Sequence, residues 1–453
     1  MPQIISINPY TGKQVDVFSE HSKVESHKIL ENAENQFYKW RETSFAYRKK
    51  LVLKAVSDLL KNKKEYASKI TDEIGKPISQ SIAEVEKCAW LCEYYATNAE
   101  NHLAKEFFET DAYKSYTCNE PLGVILAIMP WNYPFWQVFR FAIPTLMAGN
   151  VAVLKHASNV FGSALNIERI FLQSGFPQYC FSALLVGSKA MKPIIENPLI
   201  KAVSLTGSGA AGSSVGSIAG KNIKKSVLEL GGNNALIVLN DCDIDKTVKS
   251  CVIARFQNTG QSCIAGKRLL LEKGIADEFI DKLIAEVASL KSGDPSDVHT
   301  YIGSLAREDL AIELENQVLE SINLGAKLSL GGKRDGAYYE PTVLTEVTQE
   351  MKVFKEETFG PVLAITIFNG IEEAIELSNN SIFGLGVSIY SKDIKRVEKY
   401  IPYFDEGAVF INEFVKSDPR LPFGGIKQSG YGRELGKDGI LEFVNKKTVY
   451  INK

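Results

Sequence analysis

Several short stretches of this sequence carry residue types that can do chemistry. Cys263 stands in QNTGQSCIAGKR, after the turn-forming Gly260 and Gln261 rather than inside a continuous apolar helix. Such a thiol is either a small packing residue or, with a lowered pKa or a neighbouring base, a nucleophile. Glu229 closes an apolar run in VLELGG, just before Gly231 and Gly232. A carboxylate is costly in a buried strand, so Glu229 belongs either on a half-exposed face or in a partly apolar cleft, where its raised pKa suits a general base. Asn132 lies in PWNYP (130–134), a rigid turn after VILAIM. Its amide can stabilise that turn or donate to a developing oxyanion. LTGSGAAG (205–212) contains GxGxxG between a strand pattern and a helix pattern, the setting of a dinucleotide fingerprint. No acidic residue sits in clear fingerprint position after it, so a plain glycine-rich loop is the competing reading.

Other chemistries have no support. There is no GxxxxGK[ST] and no HExxH. The seven cysteines, at 88, 92, 118, 180, 242, 251 and 263, form no CxxC pair, which argues against zinc ribbons, disulfide scaffolds and metal sites. Their unpatterned use fits a reducing cytoplasm. The 52 basic and 54 acidic residues leave a net charge of −2, without the basic excess of a nucleic-acid binder. The amino-terminal MPQIISINPYTGK lacks the pattern of a secretory signal. The apolar run Val124–Met129 stops at Pro130, far short of the roughly 20 residues that span a bilayer.

Elements must hold these residues in place. With 453 residues, 45% hydrophobic and 23% charged, the chain is an ordinary globular α/β protein of roughly three domains at ~150 residues each. Helical spacing runs over 24–104, with Leu51, Ala55, Leu59 and Leu60 on one face and a break at Gly75-Lys76-Pro77. A strand-like pattern covers about 106–128. Strands at 151–156, 182–187, 201–207 and 226–232 alternate with helices near 160–173 and 188–196, the pattern of parallel βαβ units. A second series at 235–240, 267–272, 361–368, 385–391 and 407–412 places a domain boundary near 231. A ligand cleft is expected between the halves.

Taken in order, the motifs NPYTG (8–12), PWNYP (130–134), VLK (153–155), LTGS (205–208), LELGG (228–232), GQSC (260–263), EETFGP (356–361) and PFGGIKQSGYGRELG (422–436) resemble the aldehyde dehydrogenase superfamily along essentially the whole chain. KHASNVFGSAL (155–165) and QNTGQSC are similar to the shorter bacterial NAD(P)-dependent succinate-semialdehyde dehydrogenases. The resemblance implies an α/β aldehyde dehydrogenase-like fold with a Rossmann-like cofactor-binding domain (1–106 and 121–231) and an α/β catalytic domain (232–436). Bridging and oligomerisation strands (107–120 and 437–453) would join copies in a homodimer or homotetramer. It implies that Cys263 attacks the aldehyde, Asn132 stabilises the oxyanion, Glu229 activates water against the thioester, and Glu434 backs up that base. Met129, Trp131, Lys155, Ser158, Gly207, Ser208, Gly212, Leu230, Glu357 and Phe359 would contact NAD or NADP.

Two positions depart from the pattern. Ser158 stands where many relatives carry a Glu that binds the adenine ribose, so NADP should be at least tolerated beside NAD. Gln257 replaces an Arg that some relatives use for a substrate carboxylate. Arg140 matches another such Arg, with a plain helix salt bridge as its alternative, and Arg420 is the candidate replacement beside Ser417. Ser262 and Phe423 complete the expected substrate set. The activity implied is oxidation of an aldehyde, succinate semialdehyde foremost, to its acid. Oxidation of glutarate semialdehyde or aliphatic aldehydes, and an inactive scaffold on the same fold, stay open. A Cys–His hydrolase has no supporting motif around the five histidines. No metal is expected.

Overall fold

The computed structural model describes residues 3–453. Ser22 caps helix Lys23–Trp40, its hydroxyl accepting from Glu25 N while the Glu25 carboxylate accepts from Ser22 N. This reciprocal pair satisfies amides that a helix start leaves free. Helices Phe45–Ile74 and Ile78–His102 follow. The expected break between them is real: Gly75 takes φ 71°, and its N–H reaches back to Thr71 O. Only a residue without Cβ adopts that left-handed cap at little cost.

A six-stranded sheet runs in the order Gly430–Tyr431, Lys225–Glu229, Ile200–Thr206, Val124–Met129, Val151–His156, Phe181–Ala183. It is parallel except for the antiparallel Gly430–Tyr431 edge. Strand order reverses at Val124–Met129, which begins the sheet and is flanked by Val151–His156 and Ile200–Thr206. Open α/β sheets bind ligands beyond the carboxyl ends of such strands. Here those ends lead into Pro130–Asn132 and Gly207–Ser208.

A seven-stranded sheet follows, ordered Lys327–Leu330, Thr342–Thr345, Val362–Phe368, Gly266–Glu272, Asn234–Val238, Val387–Tyr390, Val409–Ile411. Alternate residues point to opposite faces. Ala235 and Ile237 join a core with Leu314 and Val318, while Leu236 and Val238 join one with Val252 and Phe279. Helices Glu308–Asn323 and Ile244–Phe256 cover these two faces. The third and largest core unites the amino-terminal helices with the first sheet, and takes in Phe423, Leu435 and Phe443 from the end of the chain.

Two strand expectations need correction. The pattern over 106–128 is three strands in two sheets: Lys114–Pro121 pairs with Glu106–Phe108 on one side and Val444–Ile451 on the other, whereas Val124–Met129 enters the six-stranded sheet. The strand expected at 182–187 ends at Ala183. Beyond it Leu184 N still reaches Leu154 O, but Leu185 O accepts from His21 N, so the ladder breaks where another segment takes its carbonyl.

A buried carboxylate sets the turn that carries Asn132. Glu84 accepts from the N–H groups of Phe135 and Trp136 at 2.8 and 2.9 Å and pairs with the buried Lys76 at 2.5 Å. Lys76 also lies 3.7 Å above the Tyr133 ring centre. Removing one member strands a buried charge. Glu84→Ala should therefore lower the free energy of unfolding by about 3–5 kcal/mol, read as a fall in the denaturant midpoint.

Candidate active site

The loop that leads to Cys263 is held under backbone strain. Asn258 and Thr259 have φ of 55° and 52°, followed by Gly260 at 73°. A β-branched residue such as Thr259 rarely adopts this region, and it persists only where surroundings over-determine it. They do so here. Asn258 Nδ2 donates to Asn132 O at 2.8 Å and to Gln261 O at 3.0 Å, and Asn258 N donates to Gln80 Oε1 at 2.6 Å. Thr259 Oγ1 accepts from Gly303 N at 3.1 Å, and Gln261 Oε1 accepts from Ala306 N at 2.9 Å. A Cβ on Gly260 would collide with the Gly360 carbonyl.

Two cavities meet at Cys263. The larger, about 530 Å³, is lined by Trp131, Asn132, Gly207, Ser208, Leu230, Cys263, Glu357 and Phe359. The smaller, about 160 Å³, is lined by Lys87, Trp136, Arg140, Gln257, Ser262, Cys263, Ser417 and Phe423. One thiol thus borders both the larger cavity, the cleft, and the smaller one, the tunnel.

The Asn132 amide is oriented from both ends. Its Oδ1 accepts from Gln137 Nε2 at 3.1 Å and its Nδ2 donates to Gln261 O at 3.0 Å, which leaves one N–H of the amide. Lys267, fully buried, donates to the carbonyls of Ser262 and Cys263, each at 2.8 Å, and pairs with Glu357 at 3.1 Å. Glu357 also accepts from Gly232 N, so one carboxylate ties the Cys263 loop to the glycines after Glu229. Trp131 meets the Phe359 ring edge-on at 5.7 Å.

Glu229 is buried, and neither carboxylate oxygen has a hydrogen-bond partner. Burial first, and then the Glu434 charge, push its pKa well above the carboxylate range, with Arg140 opposing. Glu434 is ion-paired with Arg140, whose Nη2 also donates to Thr206 Oγ1 at 3.3 Å. Burial raises the Glu434 carboxyl as well, with Arg140 opposing. Burial pushes the Cys263 thiol up to about 11, while Arg140 and Lys267 pull it down.

Other residues of interest lie further off. Lys155 is buried near the end of its strand, its pKa lowered by burial, and among the described residues no carboxylate lies at ion-pair distance from it. Ser158 is half-buried at the start of the turn Ser158–Val160. Gly212 lies within helix Gly209–Lys221, and a Cβ there would meet the Leu230 side chain at 2.5 Å. Ser208 caps that helix through Ala211 N. The Met129 side chain is packed in the core, and its carbonyl accepts from Ala157 N. Arg420 does not reach the tunnel. Its guanidinium makes two bonds to Asp418, at 2.8 and 2.6 Å, and lies over Trp90 with the side chain 66% exposed. Local pairing across a turn holds it on the surface. Arg140 reaches the tunnel, but as half of an ion pair.

The sequence reading missed Arg255, Lys267, Gln261 and Lys87. Nothing in the spacing of a lysine on helix Ile78–His102 marks it as facing a cavity formed with residues far along the chain. Among the described residues there is no group of His, Cys, Asp or Glu placed to hold a metal ion, and no helix long and apolar enough to cross a membrane.

The aldehyde dehydrogenase family matches residues 2–449, and the chain belongs to it. Its relatives include a probable succinate-semialdehyde dehydrogenase (NADP+) of Synechocystis sp., 49% identical over 99% of both chains. Succinate-semialdehyde dehydrogenase (NADP+) of Mycobacterium avium is 45% identical over 99% of this chain and 96% of its own. The crystal structure of succinic semialdehyde dehydrogenase from Streptococcus pyogenes in complex with NADP+ superposes with a TM-score of 0.97. It is 34% identical and covers 99% of this chain and 100% of its own.

Reactivity of the thiol can be read directly. Below its pKa, the thiolate fraction of Cys263 rises about tenfold per pH unit. Iodoacetamide modification of the cofactor-free protein, mapped by peptide mass spectrometry, should accelerate at Cys263 by that factor between about pH 7 and 10. A plateau reached at neutral pH would contradict the buried, thiol-raising surroundings.

Proposed function

We propose that this chain oxidises succinate semialdehyde to succinate, with NADP as an accepted cofactor beside NAD. The observation that carries the reading is the placement of one thiol on both the larger cleft and the smaller tunnel, which contains cationic side chains. The relatives and the solved structure named above bear the same substrate and cofactor in their names.

The cleft suits a dinucleotide. Gly207 and Ser208 sit at the amino terminus of helix Gly209–Lys221, where free N–H groups and the helix dipole favour a pyrophosphate. Lys155, with no carboxylate partner among the described residues, and the Ser158 hydroxyl would hold the adenine ribose and accommodate a 2′-phosphate without repulsion. Glu357 would hold the nicotinamide ribose. Met129, Trp131, Gly212, Leu230 and Phe359 would complete the cofactor set.

The chemistry follows from the chain's own groups. Cys263, its proton released to solvent, attacks the aldehyde carbon as a thiolate, forming the oxyanion of a thiohemiacetal. The remaining Asn132 N–H and the Cys263 backbone N–H take up the oxyanion charge, a contribution of about 10²–10³ in rate per donor. The chemistry that a bound nicotinamide supplies is acceptance of the hydride as the thiohemiacetal becomes a thioester. Glu229, unpartnered and with raised proton affinity, draws a proton from water as that water attacks the thioester. Glu434 and Arg140 keep charge balanced behind it.

The three-stranded sheet Val444–Ile451, Lys114–Pro121, Glu106–Phe108 exposes Phe107, Phe108, Tyr450 and Ile451. These apolar edge positions support self-association into a homodimer or homotetramer. All seven cysteines are unpaired, which supports a reducing, cytoplasmic setting.

Initial rates with succinate semialdehyde, glutarate semialdehyde and hexanal, each with NADP and NAD, test the reading. Succinate semialdehyde should have the highest kcat/KM, with measurable turnover on NADP. Preference for hexanal, or no NADP turnover at saturation, would overturn it. In a rapid-mixing experiment, Glu229→Gln should retain a first-turnover burst of NADPH while steady-state turnover falls about 10²–10⁴-fold, because acylation proceeds and deacylation stalls. Cys263→Ala should show no burst.

A further inference from the structure

The tunnel contains one cation whose charge nothing answers among the described residues. Lys87 projects from helix Ile78–His102, and its Nζ donates to Ser417 Oγ at 2.9 Å and lies 4.1 Å from the Trp136 ring centre. The other charged groups around it are matched. Arg140 pairs with Glu434, Lys416 pairs with Glu413 at 2.6 Å, and Glu84 pairs with Lys76. Among the described residues no carboxylate lies within ion-pair distance of Lys87. Lys87 is half-buried and lines the smaller cavity. Burial and the neighbouring Arg140 bring its pKa down to about 8, so at neutral pH it is still mostly a cation.

An ammonium has three donors, and Lys87 uses one of them on a hydroxyl. A half-buried charge without a counter-ion is costly, and an arriving anion relieves that cost. Arg140 offers less to such an anion. Its Nε faces Glu434 and its Nη2 donates to Thr206, so engaging a further carboxylate would compete with an existing buried pair. Arg420 is outside the tunnel altogether.

We infer that Lys87, together with the Ser417 hydroxyl, receives the distal carboxylate of the substrate and makes this site select carboxylate-bearing aldehydes over neutral ones. The assignment rests on the reading of succinate semialdehyde as substrate. Ser417 would turn its hydroxyl to donate to the same carboxylate, and Trp136 and Phe423 would wall the methylenes between the two ends. The residue that reads the substrate's charge then comes from the amino-terminal helices, far in sequence from the nucleophile.

The test is the ratio of kcat/KM for succinate semialdehyde to kcat/KM for butanal, which has the same carbon count and no carboxylate. A ratio is independent of the fraction of enzyme folded. Lys87→Met, which keeps the stem and removes the charge, should lower it by about 10- to 100-fold, the scale of a hydrogen bond to a charged group. Lys87→Arg should restore most of it. Arg420→Ala should leave it at the wild-type value. An unchanged ratio in Lys87→Met, or equal losses on both aldehydes, overturns the assignment of Lys87 and leaves the substrate reading standing. A wild-type ratio near one removes the substrate reading itself before any variant is compared.

Discussion

The site depends on a buried guanidinium that bolts two loops together. Arg255, fully buried, donates through Nε to Val362 O at 2.5 Å and through Nη2 to Thr358 O at 2.9 Å and to the Gly360 carbonyl. Its Nη1 reaches Gly260 O at 3.3 Å, inside the strained run that leads to Cys263. Five N–H groups in a rigid fork suit this work, because one side chain can satisfy several carbonyls that tight loops leave without partners. The same clamp fixes the segment that carries Glu357 and Phe359 beside the cleft. Lysine, with a single donor centre on a flexible stem, could not span the same set of carbonyls.

Around that clamp, buried charges are matched in pairs, with Glu229 outside them among the described residues. Lys267 is answered by Glu357, Lys76 by Glu84, and Arg140 by Glu434. Glu229 has none, and its raised proton affinity follows from burial and from Glu434 nearby. Structural ion pairs hold the loops, and Glu229 is left outside them.

Legibility in the sequence varied with the reach of the physics involved. The alternation of short apolar runs with amphipathic helices is a local pattern, and the α/β class followed from it. Cys263, Asn132 and Glu229 were singled out because each stands beside residues that end a strand or make a turn, and the structure sets Asn132 and Cys263 on one cavity, with Glu229 buried just before the Leu230 that also lines it. Arg140 and Arg420 look equivalent as lone arginines near motifs. One proves to be buried against Glu434 and the other spread on the surface over Trp90, and only burial separates them. The run 106–128 reads as one strand region, yet it divides between two sheets because Lys114–Pro121 finds its partner at Val444–Ile451. That pairing is set by residues more than half the chain away.

By itself the sequence determined which residues can react and which backbone shapes they require: a thiol after a glycine turn, a carboxylate before two glycines, an amide between prolines. These are short-range matters of φ/ψ freedom, hydrogen-bonding capacity and intrinsic acidity. Tertiary structure alone decided which charges are answered. Glu84 meets Lys76, Arg140 meets Glu434, Arg255 spans two loops, and Lys87 meets only a hydroxyl and a ring. Desolvation makes each outcome matter, since a charge removed from water depends for its energy on the few atoms that surround it. Those atoms are brought together by folding from distant parts of the chain.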